Sequence, residues 1–247
     1  MLANKYNFNM YNHPSFATLD VIGKRLSHRQ NSIATNMFRK FAVFDGPFNT
    51  FAYFDADTLI LDSLLPRLQY FSNSSIDFIF AHSSPEQVYK PVFWEQQSLL
   101  YGSLGFNAGI WISRQHVLNI ADVIGIFADE AECLKNNFAP TWDQPFFNYC
   151  IDHSNIKKCH FSEFFRKPHL SLWPGECHNI RNGRLNMSYV TDTGHPVILV
   201  HWAGYKIEYR MPYRWLFEEY RFGNMCINKL AWRMMLYYRH ILNIICL

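Results

Sequence analysis

The chain has 247 residues, 49% of them hydrophobic and 17% aromatic, enough to bury the core of one large α/β domain or two small ones. Its net charge of +3 is dispersed, with no stripe of Lys and Arg interleaved with aromatics, so no nucleic-acid partner is expected. The six cysteines include no C-x-x-C pair, which argues against a zinc cluster. No charged-then-apolar leader and no apolar run of membrane-spanning length is present, so a cytoplasmic setting is expected.

In chain order, Ser15 is read as the cap of a short helix through Leu26, and Ser32 as the cap of a helix through about Phe44. Ile33, Met37, Phe38 and Phe41 form the apolar stripe of that second helix, with Arg39 and Lys40 at its edge or opposite side. Asp45-Gly-Pro47 marks a turn, and Phe51 to Phe54 reads as a core strand. Asp55 and Asp57 interrupt the apolar run, which resumes at Leu59 to Leu61. On a strand these carboxylates point the same way. Held side by side they repel unless a proton or cation lies between them. Mg²⁺ and Mn²⁺ are hard ions that take oxygen ligands and commonly share them with substrate phosphates, so the pair suggests a metal-dependent enzyme acting on a diphosphate.

Further strands are expected at Asp77 to Ala81, at Gly105 to Ser113 and at Pro196 to Val200. A helix is expected from about Gln115 to Asn136, and another opens at Trp142-Asp143-Gln144-Pro145, with Asp143 as N-cap and Pro145 in its first turn. Alternating strands and helices predict a mostly parallel sheet covered on both faces. In such sheets ligands bind at the carboxyl ends of strands, near which Asp57, the Asn107 segment and His201 all fall. The expected division is a domain over 1–224 and a C-terminal amphipathic helix over 225–247. That helix carries Leu230, Ala231, Met234, Met235, Tyr238, Leu242 and Ile245 at helical spacing, with Lys229, Arg233 and Arg239 among them. It suits either docking on the core or peripheral contact with a membrane.

Four motifs occur together and in order: Tyr53-Phe-Asp55-Ala-Asp57-Thr, Phe106-Asn107-Ala108-Gly109, Trp142-Asp143-Gln144, and His201-Trp-Ala-Gly204-Tyr-Lys206. Across residues 30 to 210 this resembles the GT-A-fold glycosyltransferases, and most nearly glycosyltransferase family 8, the glycogenin and lipopolysaccharide galactosyltransferase group. The resemblance implies a three-layer α/β/α fold and a retaining transfer of sugar from a nucleotide-diphosphate donor, with UDP as the carrier. It implies Mn²⁺, or Mg²⁺, held by Asp55, Asp57 and His201, with Lys206 adding positive charge at the phosphates. Asn107, Ala108 and Gly109 would line the donor-sugar pocket, Asp143 and Gln144 would contact the sugar near its reacting carbon, and Arg39 would lie over the donor. The acceptor, whether glycan, lipid-linked group or protein, is not specified.

Members of this group usually open with a strand-helix-strand unit that binds the base, whereas this chain starts at Met1-Leu-Ala-Asn-Lys-Tyr, so either an unusual replacement of that unit or an N-terminally shortened version is expected. Each residue also has a plainer role: His201 as a partly buried histidine, Asn107 at a bend, Asp143 as a helix cap, Lys206 as a surface cation. Two rival functions follow. One is a shortened relative that binds nucleotide sugars or glycans without turnover. The other is a haloacid-dehalogenase-type phosphohydrolase, which also places two aspartates after a strand but wants Thr or Val where Leu59 stands.

Overall fold

Phe38, Phe41 and Phe44 recur every third residue, and the backbone follows that period: Met37–Asp45 winds as a 3-10 helix whose three rings are fully buried. The sequence pattern predicts an α-helix here. The difference has a packing cause, because a three-residue turn stacks all three rings on one face, against Phe146, Phe147 and Trp111. The proposed cap Ser32 lies outside the described residues. The computed structural model describes residues 9–26, 35–82, 84–102, 105–139, 143–165, 171–172, 180–181, 190–191, 196–203, 211–222, 228 and 230–235.

The chain divides into two units, one of Met1–Tyr53 and Leu65–Phe164, the other of Phe54–Leu64 and Phe165–Leu247. The strands are β1 (Thr50–Phe54), β2 (Thr58–Ile60), β3 (Phe78–His82), β4 (Phe106–Arg114), β5 (Lys158–His160), β6 (Ser171–Leu172), β7 (Ile180–Arg181), β8 (Val190–Thr191) and β9 (Leu199–His201). The α-helices are α1 (Phe16–Leu26), α2 (Leu65–Ser72), α3 (Pro91–Tyr101), α4 (Ile120–Asn137), α5 (Gln144–His153), α6 (Phe161–Phe165) and α7 (Arg214–Phe222). The α/β class expected from the sequence is the class observed. Within it the strand pairs run in both senses: β3 is antiparallel to β4 and parallel to β5, and β9 is antiparallel to β2 and parallel to β6.

In the first unit the sheet order is β1-β4-β3-β5. Nearly every residue of β4 is buried, which is why its sequence reads as a continuous apolar run rather than an alternating one. Trp111 of β4 is stacked between Phe44 and Tyr53, at centroid distances of 5.1 and 4.9 Å with interplanar angles of 5° and 10°. Gly105 has φ 64°, a left-handed turn that admits glycine freely and delivers the chain into β4. Helix α1 lies so close to the 3-10 segment that a Cβ on Gly23 would sit 2.6 Å from the Thr35 carbonyl oxygen. Helix α4 starts at Ile120, later than the pattern suggests, because the Asn119 side chain accepts the Asp122 N–H and fixes the start there.

In the second unit β2-β9-β6 form a sheet over a small core of Val197, Val200, Trp202, Met211 and Leu216. Glu218 of α7 is fully buried between Arg214 and Arg233, so residues 230–235, which are helical, are tied to α7 by a charged pair as well as by Trp232 against Phe217 and Phe222. Leu230, Met234 and Met235 face solvent. Most of the 225–247 segment lies outside the described residues. No described helix is long and apolar enough to cross a membrane.

Candidate functional site

The acidic pair sits where β1 gives way to β2. Strand β1 ends at Phe54, Ala56 and Asp57 form a turn, and the Thr58 N–H donates to the Asp55 carbonyl at 3.1 Å before β2 begins. Asp55 and Asp57 are therefore turn residues rather than the strand residues the alternation argument assumes. The tight Asp55-to-Thr58 closure, rather than the pleat, is what keeps the two carboxylates on one side. Strand β9 supplies the third group. Thr58 is paired with His201 across the antiparallel ladder, and the Trp202 N–H donates to the Asp57 carbonyl at 3.0 Å, which pins the start of β2 beside the end of β9.

One side-chain atom from each of Asp55, Asp57 and His201 lies within 4.8 Å of the others. His201 is 4% exposed, and its Nε2 is 3.1 Å from Asp57 Oδ1. Although Asp57 is that close, Nε2 is a buried nitrogen that makes no hydrogen bond. A buried polar atom left in that condition is costly in an apolar setting. Aimed at two carboxylates, it is a donor set of one imidazole nitrogen and two carboxylate oxygens, which suits Mn²⁺ and, through the oxygens, Mg²⁺. Asp57 is 44% exposed at its side chain, so the set is open to solvent on one side.

The first unit assembles a second group from motifs far apart in sequence. At the start of β4, backbone groups of Phe106 and Ala108 are bonded by side chains. Phe106 gives its N–H to Asn148 Oδ1 at 2.8 Å and receives Asn148 Nδ2 at its carbonyl at 2.9 Å. Ala108 gives its N–H to Gln144 Oε1 at 3.3 Å, while its carbonyl accepts from Lys40 Nζ at 3.0 Å and from Trp111 Nε1 at 3.1 Å. Asn107 caps the same stretch locally, its Oδ1 accepting the Gly109 N–H at 2.8 Å. Lys40 Nζ also stands 2.7 Å from Asp143 Oδ2, with side chains 3% and 7% exposed, and lies 5.2 Å from the centre of the Tyr53 ring.

The structure thus brings together Asn107, Ala108, Gly109, Asp143 and Gln144 in one unit, and Asp55, Asp57 and His201 in the other. Asp143 does occupy the N-cap position of α5, but its side chain makes no capping hydrogen bond and is turned to Lys40. The Gln144 carboxamide is engaged at both ends, by Ala108 and by the Gln87 carbonyl at 3.3 Å. Arg39 is held by Asp20 through two bonds of 2.8 and 2.6 Å and lies over Phe16 at 5.2 Å. Asp20 raises its pKa through that bond. Lys206 and Trp142 lie outside the described residues. Two residues escape sequence reasoning: Lys40, adjacent to the chosen Arg39, and Asn148, one helical turn after Gln144. For Asn148 a signal was available, since a polar residue amid Phe146, Phe147, Tyr149, Cys150 and Ile151 has to satisfy its amide inside the core.

No family model matches the chain, and no curated protein matches it. Among solved structures it is similar to the apo form of mouse xyloside xylosyltransferase 1, with 14% identity and a TM-score of 0.39. The match covers 60% of this chain and 58% of that one, so the chain spans less than two thirds of the length of the xylosyltransferase structure.

Proposed function

We propose that the chain is a divalent-metal-dependent glycosyltransferase of GT-A type that moves a sugar from a nucleotide-diphosphate donor, UDP-linked, to a glycan, lipid-linked or protein acceptor. The observation that carries this reading is the grouping of one ligand atom from each of Asp55, Asp57 and His201 within 4.8 Å, with the buried His201 Nε2 3.1 Å from Asp57 Oδ1 and making no hydrogen bond. Those three side chains hold the metal, Mn²⁺ or Mg²⁺. Bound there, the ion supplies Lewis acidity to a leaving diphosphate.

The residues of the first unit serve the sugar. Cleavage of a sugar–diphosphate bond puts positive character on the anomeric carbon, and a fixed carboxylate offsets it. Asp143 is that carboxylate in this reading, and Lys40 holds it in place. Gln144 and Asn107 fix the backbone at Ala108 and Gly109, whose small side chains admit a sugar close to the chain. Arg39 reaches a donor only by giving up Asp20, while Lys40, held by Asp143 and the Ala108 carbonyl, serves to position Asp143. Lys206 keeps its proposed place at the phosphates on the strength of the sequence motif.

The test is UDP release from a panel of UDP-sugars, with Mn²⁺ or with EDTA, by the wild type and by Asp143→Asn. Metal-dependent release of UDP from at least one sugar, reduced ~100-fold or more in the variant as expected for loss of a preorganised electrostatic group, supports the reading. Release that survives EDTA unchanged would overturn it.

A further inference from the structure

Asn148 is fully buried on α5, among Phe146, Phe147, Tyr149, Cys150 and Ile151, and makes three hydrogen bonds. Its Oδ1 takes the Phe106 N–H, and its Nδ2 donates both to the Phe106 carbonyl and to the Gln144 carbonyl, the last at 2.9 Å. The first two copy what a neighbouring strand would offer one residue of β4. The third reaches back one turn along α5 to the residue that carries the next rung, Gln144 to Ala108. A single carboxamide thereby couples the opening turn of α5 to the opening of β4.

We propose that Asn148 is a positioning residue: it sets the register between the Asp143–Gln144 turn and the Phe106–Gly109 segment, and it acts on the sugar-facing groups through Gln144 and Phe106. The catalytic part of this inference rests on the transferase reading above. The geometric part does not. Aspartate at this position keeps an acceptor for the Phe106 N–H but has no N–H for the two carbonyls, and it sets a carboxylate against them. Serine is too short for all three bonds and keeps the site neutral. Neither variant touches the Asp55, Asp57 and His201 set, which lies in the other unit.

The experiment is amide hydrogen exchange of the full chain, resolved to single residues, on the wild type, Asn148→Asp and Asn148→Ser. It is paired with UDP binding by calorimetry in Mn²⁺ and with steady-state turnover of the best UDP-sugar. The expected result is Ala108 exchange accelerated about tenfold or more, the order expected for loss of one hydrogen bond, with Ile112 unchanged. UDP affinity stays within about twofold of wild type while kcat falls by a larger factor than KM rises, as for interactions made in the transition state. A merely structural loss would lower UDP-binding stoichiometry and kcat together.

Wild-type exchange at Ala108 in every variant that folds overturns the proposal. So does accelerated exchange with unaltered kcat and KM. A wild type that turns over no UDP-sugar removes the transferase reading and with it the catalytic part, while the exchange rates at Ala108 still decide whether Asn148 couples the two segments.

Discussion

Lys40→Met removes a buried ammonium that stands 2.7 Å from the Asp143 carboxylate, itself 7% exposed. It also strips one donor from the Ala108 carbonyl, which keeps Trp111 Nε1 at 3.1 Å. Breaking a buried pair from one side costs about 3–5 kcal/mol, most of it the uncompensated charge rather than the lost attraction. For a chain of this length that corresponds to a fall in Tm of ~6–20 °C, at ~2–4 °C per kcal/mol. Asp143→Asn takes the counter-charge from the equally buried Lys40 ammonium and is expected to cost a comparable amount. The double variant Lys40→Met/Asp143→Asn is predicted to be more stable than the two single losses add up to, by a coupling of ~1–3 kcal/mol. Urea unfolding followed by far-ultraviolet circular dichroism measures all four corners of the cycle. If Lys40→Met lies within ~1 kcal/mol of wild type, or the losses simply add, the pair does not hold Asp143 and the reasoning from burial is wrong.

Arg39→Ala breaks a partly exposed pair with Asp20 and is expected to lower Tm far less than Lys40→Met, and to leave turnover near wild type if Arg39 stays with Asp20. Burial pushes the Cys159 thiol up to about 11, so its thiolate is scarce at pH 8. Peptide mapping after brief iodoacetamide treatment at that pH should find the exposed Cys133 labelled well ahead of Cys159, and equal labelling would contradict the burial. Burial likewise raises Tyr89 and Cys150. Each of these groups keeps its proton to higher pH when folded than when unfolded. Stability is therefore fully present below the unfolded values and declines as pH rises past about 9. A chain as stable at pH 10.5 as at pH 8 would show that these groups are not buried. His201→Ala is expected to weaken Mn²⁺ binding by at least ~10–100-fold, read by electron paramagnetic resonance of free Mn²⁺.

The D-x-D pair was legible because both carboxylates lie within one short apolar stretch, although their turn was mistaken for a strand: an apolar run does not mark where pairing stops. The β4 motif and the start of α5 were also placed nearly correctly, since Gly105 and Pro145 punctuate them. The 3-10 segment could have been read from Phe38, Phe41 and Phe44 alone, whose three-residue period the longer α-helical stripe obscured. The place of His201 at a strand end is legible in the sequence, but its role as a ligand comes from the family resemblance, because nothing local ties it to Asp57 until β9 pairs with β2. The same holds for Lys40, which the sequence does not distinguish from Arg39. A helix reading says which side a residue faces, whereas the choice between Arg39 and Lys40 depends on Asp20 and Asp143, each fixed by long-range packing.

The most direct measurement is calorimetric titration of UDP into the full chain with Mn²⁺ and with EDTA, on the wild type, Asp57→Ala and His201→Ala. The account predicts binding that requires Mn²⁺ and is lost in both variants while their folds survive. UDP binding that is indifferent to the metal, or unchanged in Asp57→Ala, would contradict it.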